Sequence, residues 1–202
     1  MATERTQLYH CLPIPDGDWK DVYENQAISM AMIHNVFIRG FNSLLYYSGE
    51  VQPGTKQLGS FLGYALEVCT MLHHHHRGEE TMYFPFIEEK IGAGRMSGNV
   101  SAHEAFSKPF DALEELVKKL ISNPELWDAK VFQDSIHSFM PVLREHLAEE
   151  LTTLDAAELR KHITLKDFEE YEKIFMEEIK KTVSFSKGPQ VAYVNGDSIN
   201  GE

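Results

Sequence analysis

Residues 61–86 read FLGYALEVCTMLHHHHRGEETMYFPF, and the register of this stretch decides the fold. Phe61, Ala65, Val68, Leu72, His75, Glu79, Met82 and Phe86 follow one another at alternating fours and threes, the spacing that stacks side chains on one face of an α-helix. The line is apolar apart from His75 and Glu79. A helix that turns an imidazole and a carboxylate towards the core must give them partners, because each buried charge left alone costs several kcal/mol.

The same period recurs on both sides. A preceding helix, expected from about Asp18 to Ser48, offers Ala27, Ala31, His34, Ile38, Phe41 and Leu45. The helix of the opening stretch is expected to reach about Lys90, with an interruption near Pro85. A third, from about Gly98 to Ile121, offers His103, Phe106, Phe110, Leu113, Val117 and Leu120. A fourth is expected to open with Asn123 as cap and Pro124 at its first position and to end near Leu154; its stripe is Phe132, Ile136, Phe139, Leu143, His146, Glu150 and Leu154.

Ser48-Gly49, Val51-Gln52-Pro53-Gly54 and Ile91-Gly92-Ala93-Gly94 are the breaks between these helices. No convincing alternation of period two precedes the last residues, so the class is all-α. Short connections make antiparallel neighbours, hence an up-down-up-down four-helix bundle. Asp155 to Lys181 reads as a charged outer helix or helix pair, and Lys187 to Glu202 as an irregular tail. The expected organisation is a bundle with an N-terminal arm over residues 1–154 and a C-terminal extension over 155–202 packed on the same domain.

Charge excludes two classes of partner. The 202 residues carry 19 Lys+Arg against 31 Asp+Glu, a formal net charge of −12, and nothing clusters the basic residues. Nucleic acids and anionic membranes are both disfavoured. Met1 to Lys20 is polar and broken by Pro13 and Pro15, and no apolar run of about 18 residues follows. The expectation is a soluble, cytoplasmic protein. Cys11 and Cys69 lack metal-pair spacing and read as reduced thiols. No Gly-rich phosphate loop or nucleophile elbow is present.

A single histidine on an apolar face is most often a core residue satisfied by one hydrogen bond. Here all four stripes carry one, and two of them also carry a carboxylate. Metal binding explains His34, His75, Glu79, His103, His146 and Glu150 together. His75 and Glu79, like His146 and Glu150, are four residues apart, so each pair spans one turn of one face and reaches the same metal or two adjacent metals. Imidazole with carboxylate suits iron, manganese or zinc. If both carboxylates bridge two ions, each ion keeps two imidazoles and open positions for water, O2 or a substrate.

These residues resemble the hemerythrin-like, or HHE cation-binding, family over roughly Asn25 to Leu154. The resemblance rests on His34-Asn35-x-x-Ile38-Arg39-Gly40, on His75-His76-Arg77-Gly78-Glu79-Glu80 followed by Phe84-Pro85, on His103, and on His146-x-x-Glu149-Glu150. It implies a four-helix bundle around a non-haem di-iron centre with an oxo or hydroxo bridge, in proteins that bind, sense or react with O2. By position it implies His34 and His75 on one iron, His103 and His146 on the other, and Glu79 and Glu150 bridging. Oxygen-carrying members have a second histidine one turn after the third-helix ligand, where this chain has Ser107. The expectation is therefore one iron short of a nitrogen and both metals open, which suits redox chemistry on a bound substrate or peroxide.

The run His73 to His76 cannot all face inward, since successive helical residues are rotated by about 100°. Pairing His75 with Glu79 is preferred to the alternative frame of His76 with Glu80, which follows the less apolar line Leu62, Leu66, Cys69, His73 and Tyr83. His73, His74 and His76 are then surface residues or outer partners of the ligands. Glu80 and Glu149 are candidate acceptors for the second ring nitrogen of a ligating histidine, and a solvated acidic face is the plainer alternative. Glu104 points away from His103, and His10, His137 and His162 match no ligand stripe. Tyr46, Tyr47 and Tyr83 are candidates for an access path or a redox-active phenol, though core packing is the commoner use.

Three functions remain open. One is a di-iron oxidoreductase using O2 or peroxide on a small organic molecule. Another is an O2- or iron-binding module for sensing, storage or protection. The last is a structural protein whose buried His and Glu satisfy one another.

Overall fold

The threefold and fourfold spacing folds as helix throughout the computed structural model, which describes residues 8–182; no strand occurs among them. Helix α1 spans Glu24–Tyr47, α2 Lys56–Gly78, α3 Phe84–Ile91, α4 Ser97–Ser122, α5 Ala129–His137, α6 Met140–Thr153, α7 Ala156–His162 and α8 Leu165–Thr182. Helix α2 packs on α1 and α4, α6 packs on α4 and α1, and the ring closes as a four-helix bundle. No helix among the described residues is long and apolar enough to cross a membrane.

Three boundaries differ from expectation, each for a local reason. Helix α1 starts at Glu24 rather than Asp18, because the Asp21 carboxylate accepts from the Tyr23 and Glu24 amides and holds residues 18–23 as turns. The fourth helix is two. Asn123 does not cap it; Pro124–Leu126 is a 3-10 turn, and Asp128 caps α5 by accepting from the Lys130 and Val131 amides. Helix α5 then ends at His137, the residue whose carbonyl would clash with the ring of Pro141.

The third difference positions the site. The opening stretch breaks not at Pro85 but before it, in a π turn over Glu79–Tyr83 in which the Phe84 amide donates to the Glu79 carbonyl. A π turn inserts one residue, so the buried line beyond it shifts by one position. Tyr83, Phe84 and Ile87 are buried, whereas Met82 and Phe86 are only partly so.

Two apolar clusters form the interior. The larger is built around Phe37, Phe41, Phe106, Phe110, Phe132 and Phe139, all but inaccessible to solvent. The smaller gathers Tyr23, Tyr83, Phe84, Leu159, Ile163 and Phe168, which docks α7 and α8 on one end of the bundle. Although most of α8 is charged and exposed, Phe168 is buried, and Tyr171 and Phe175 are partly so. The expected tail over residues 187–202 lies outside the described residues. An N-terminal arm is strapped to α1 by two amide clamps: Asn35 exchanges hydrogen bonds with the Leu12 backbone and Asn42 with that of Tyr9.

Candidate metal centre

Along each of the four long elements, the polar residues stand between the larger cluster and the smaller one. His34 lies between Met30 and Phe37, His103 between Val100 and Phe106, His146 between Leu143 and Leu154, and His75 to Glu79 between Leu72 and Tyr83. The packing therefore brings four segments of polar side chain to one level of the bundle, sealed above and below by hydrocarbon.

All six residues singled out by sequence converge there, and His76 joins them. His34 donates from Nδ1 to the Leu147 carbonyl at 2.9 Å, which turns Nε2 inward to 3.5 Å from Glu150 Oε2. His75 Nε2 lies 3.0 Å from Glu79 Oε1, and its ring meets His34 edge-on at 5.3 Å. His103 donates from Nδ1 to Glu80 Oε1 at 2.6 Å and points Nε2 to 3.6 Å from Glu79 Oε2. His146 Nε2 is 3.6 Å from Glu150 Oε2. The His76 ring sits 4.2 Å from that of His103 and 5.9 Å from that of His146.

Both adjacent histidines reach the cluster because α2 runs between two neighbours. His75 leans towards α1, against His34 and Phe37, and His76 leans towards α4 and α6, against His103, Phe106 and His146. A single-stripe reading of α2 has no place for the second of them. The legible signal was the adjacency of two histidines just before a break in the helix.

His76 bears on the expected shortage of one nitrogen, because it adds a donor that the expectation did not count. Ser107 is exposed, and its hydroxyl donates to the Glu104 carbonyl, so it takes no part in the cluster. From the neighbouring α2, His76 brings a fifth imidazole to the cluster, 4.2 Å from the ring of His103. Glu80 is the outer acceptor for His103, whereas Glu149 is exposed and touches none of these groups among the described residues. His73 pairs on the surface with Glu114 at 2.7 Å, His137 bonds Tyr9, and His162 pairs with Glu158. Tyr46 and Tyr47 are exposed, while Tyr83 is buried and donates to Gln26 Oε1 at 2.8 Å.

The electrostatics are those of a place where charge is costly. Burial pushes the Glu79 carboxyl up to about 8, and burial together with the facing Glu79 raises Glu150 well above the usual range. Burial presses His75 down to about 4 and His146 to about 3, and lowers His34, His76 and His103 as well. Neutral imidazoles are the form that binds metal.

Ten buried side-chain nitrogen and oxygen atoms lack a hydrogen-bond partner among the described residues, and all ten belong to these seven side chains. They include Nε2 of every one of the five histidines and both oxygens of Glu79 and Glu150. Folded proteins leave few such atoms, and ten orphans in one place need a common partner. Donor atoms of His34, His75 and Glu79 lie within 4.8 Å of one another, as do those of His76, His103 and His146, and those of Glu79, His103 and Glu150. Two cation positions sharing a carboxylate would satisfy the whole set, and imidazole with carboxylate is a donor mixture for a borderline divalent metal. The same ten atoms weigh against the structural alternative, in which His and Glu satisfy each other, since their His–Glu approaches of 3.0–3.6 Å leave every one of them without a hydrogen bond.

One side of the cluster faces open space. A cavity of ≈1190 Å3 between α1, α2 and α8 has His75 and Glu79 in its wall, and none of His76, His103 and His146.

The chain is 26% identical over 145 residues to "Dimeric xanthone biosynthesis cluster protein R11" of Cryptosporiopsis sp. (strain 8999), an alignment that covers 69% of this chain and 54% of that protein. The chain thus spans about half the length of that relative. No solved structure matches it. The family model "Hemerythrin HHE cation binding domain" matches residues 29–156, the segment that contains all seven converging side chains. By that match the chain belongs to the hemerythrin HHE cation-binding domain family.

Proposed function

We propose that the protein is a non-haem di-iron oxidoreductase that uses O2 or peroxide on a small organic molecule. His34 and His75 would hold one iron, His76, His103 and His146 the other, with Glu79 and Glu150 bridging. Manganese or zinc would fit the same donors. The bound irons would supply electrons to O2 or peroxide, which no side chain of the cluster does by itself.

The chain's own residues do the rest. The Leu147 carbonyl and the Glu80 carboxylate each accept a hydrogen bond, from Nδ1 of His34 and of His103, and so fix which nitrogen faces inward. The two apolar clusters keep bulk water from the ends of the site.

The cavity carries this reading over simple O2 binding. A molecule as small as O2 does not need ≈1190 Å3 beside the side of the cluster that has fewer imidazoles. The relative named for a xanthone biosynthesis cluster is in keeping with work on an organic substrate. Against it stands the division of five imidazoles as two and three, which favours the second reading, an O2- or iron-binding module without turnover.

Anaerobic ferrous loading, metal analysis and exposure to O2 under visible absorption separate the two. Two irons per chain and rapid net O2 consumption in the presence of a reductant are expected. A stable, reversible oxy spectrum with no net consumption selects the binding module, and absence of bound metal overturns both.

A further inference from the structure

The walls of the cavity beside His75 and Glu79 say more than that a molecule fits. We propose, resting on the metal-dependent reading above, that the occupant is a planar aromatic compound bearing at least one acidic oxygen, as a phenol, a carboxylic acid or both. Its rings lie along Tyr171 and Phe175, and its acidic oxygen is directed to Arg77.

Four observations carry this. Tyr171 and Phe175 line the cavity with their rings 5.7 Å apart and only 16° from parallel, and Phe86 continues the stack behind Tyr171 at 4.6 Å and 20°. Such a ladder of near-parallel rings presents edges and faces to which a further flat ring adds favourably. Met30, Met71 and Met82 line other parts of a wall that also includes Glu67, His74 and Glu178, and thioethers adapt to and attract aromatic rings. Arg77 lines the cavity, is exposed and forms no ion pair among the described residues, and a guanidinium is suited to an anionic or acidic oxygen. Lastly, both oxygens of Glu79 are buried and unpartnered at the wall, which places the candidate metal position beside the occupant. An aliphatic chain would gain only burial here. At ≈1190 Å3 the space exceeds the usual range for small-ligand pockets, about 300–1,000 Å3, and admits more than one fused ring.

The test uses the full chain and three probes: 1-hydroxy-2-naphthoate, its neutral counterpart 2-methoxynaphthalene, and dodecanoate. Binding is followed by naphthalene fluorescence, and dodecanoate by competition, with bound metal measured in the same samples. The hydroxynaphthoate is expected to bind about tenfold or more tightly than dodecanoate. Met71→Trp, which narrows the cavity, is expected to weaken it by about tenfold or more. Phe175→Leu keeps the wall apolar but removes the ring, and is expected to weaken both naphthalenes about fivefold while leaving dodecanoate unchanged. Arg77→Gln is expected to weaken the hydroxynaphthoate about threefold to fivefold and to leave methoxynaphthalene unchanged. All three variants should retain the metal content of the parent.

Equal binding of dodecanoate, or unchanged hydroxynaphthoate affinity in both Met71→Trp and Phe175→Leu, overturns the proposal even if two metals are bound. An Arg77→Gln variant indistinguishable from the parent overturns the acidic-oxygen part. Absence of bound metal from the parent protein with naphthalene binding intact would instead sink the di-iron reading and leave the cavity assignment standing.

Discussion

Replacing His76 by alanine removes the imidazole that stands 4.2 Å from His103 and is expected to weaken one of two bound ions by at least the 10–100-fold that loss of a mere outer partner costs, about 1.4–2.8 kcal/mol. Ser107→Ala, one turn along α4 from His103, should leave metal content unchanged, since its hydroxyl serves only the Glu104 carbonyl. Isothermal titration with zinc reads both; equal affinities in the two variants would place the third imidazole elsewhere. Glu80→Gln gives a subtler readout, because the neutral amide holds the His103 ring less firmly and lowers its basicity, for a loss of about tenfold in affinity. At this scale six converging side chains were legible from their places in apolar stripes. His76 was not, because the stripe argument assigns each helix a single inward line, while α2 faces two neighbours at once.

The π turn over Glu79–Tyr83 is the element on which the site's register depends. Its extra residue moves the buried line from Met82 and Phe86 to Tyr83, Phe84 and Ile87. Deleting Thr81, an exposed residue of that turn, would leave Glu79, Tyr83 and Ile87 at ordinary α-helical spacing. The variant should stay as helical as the parent by circular dichroism but bind fewer than two metals per chain, as Glu79 loses the widened backbone that aims it. Undiminished metal content would show that the turn is incidental. Helix class and the four-helix ring could be read from periodicity alone. The break in the fourth helix and the π turn could not be placed, because Pro141 and Pro85 disrupt the turn before them, and which residues absorb the disruption depends on tertiary packing.

For the whole molecule, seven ionisable side chains buried at one level tie stability to metal and to pH. A bound ion at a free concentration about 1,000 times its dissociation constant adds about 4 kcal/mol, which in a domain of this size is about 10 °C of melting temperature. Chelation should remove at least that much. In chelated protein Glu79 is raised from 4.5 to about 8, so its contribution is full below pH 4.5 and is lost as pH rises through 8. His75, lowered from 6.5 to about 4, acts oppositely: its contribution is full above pH 6.5 and is lost as pH falls towards 4. Scanning calorimetry should therefore show the chelated protein losing stability from about pH 6.5 to about 8, and Glu79→Gln should flatten that limb. An unchanged slope in the variant would mean that Glu79 is not the group responsible.

The cavity was invisible to sequence reasoning because it exists only where α8 folds back over α1 and α2, and the charged run along α8 conceals Tyr171 and Phe175 among solvated residues. The adjacency of His75 and His76 reaches further still. One turn of α2 would serve both proposed ion positions, so the first cation to arrive would freeze the rotamers that the second would otherwise have to order. Loading should then be cooperative, and native mass spectrometry at substoichiometric metal should find chains carrying none or two, with singly occupied species scarce.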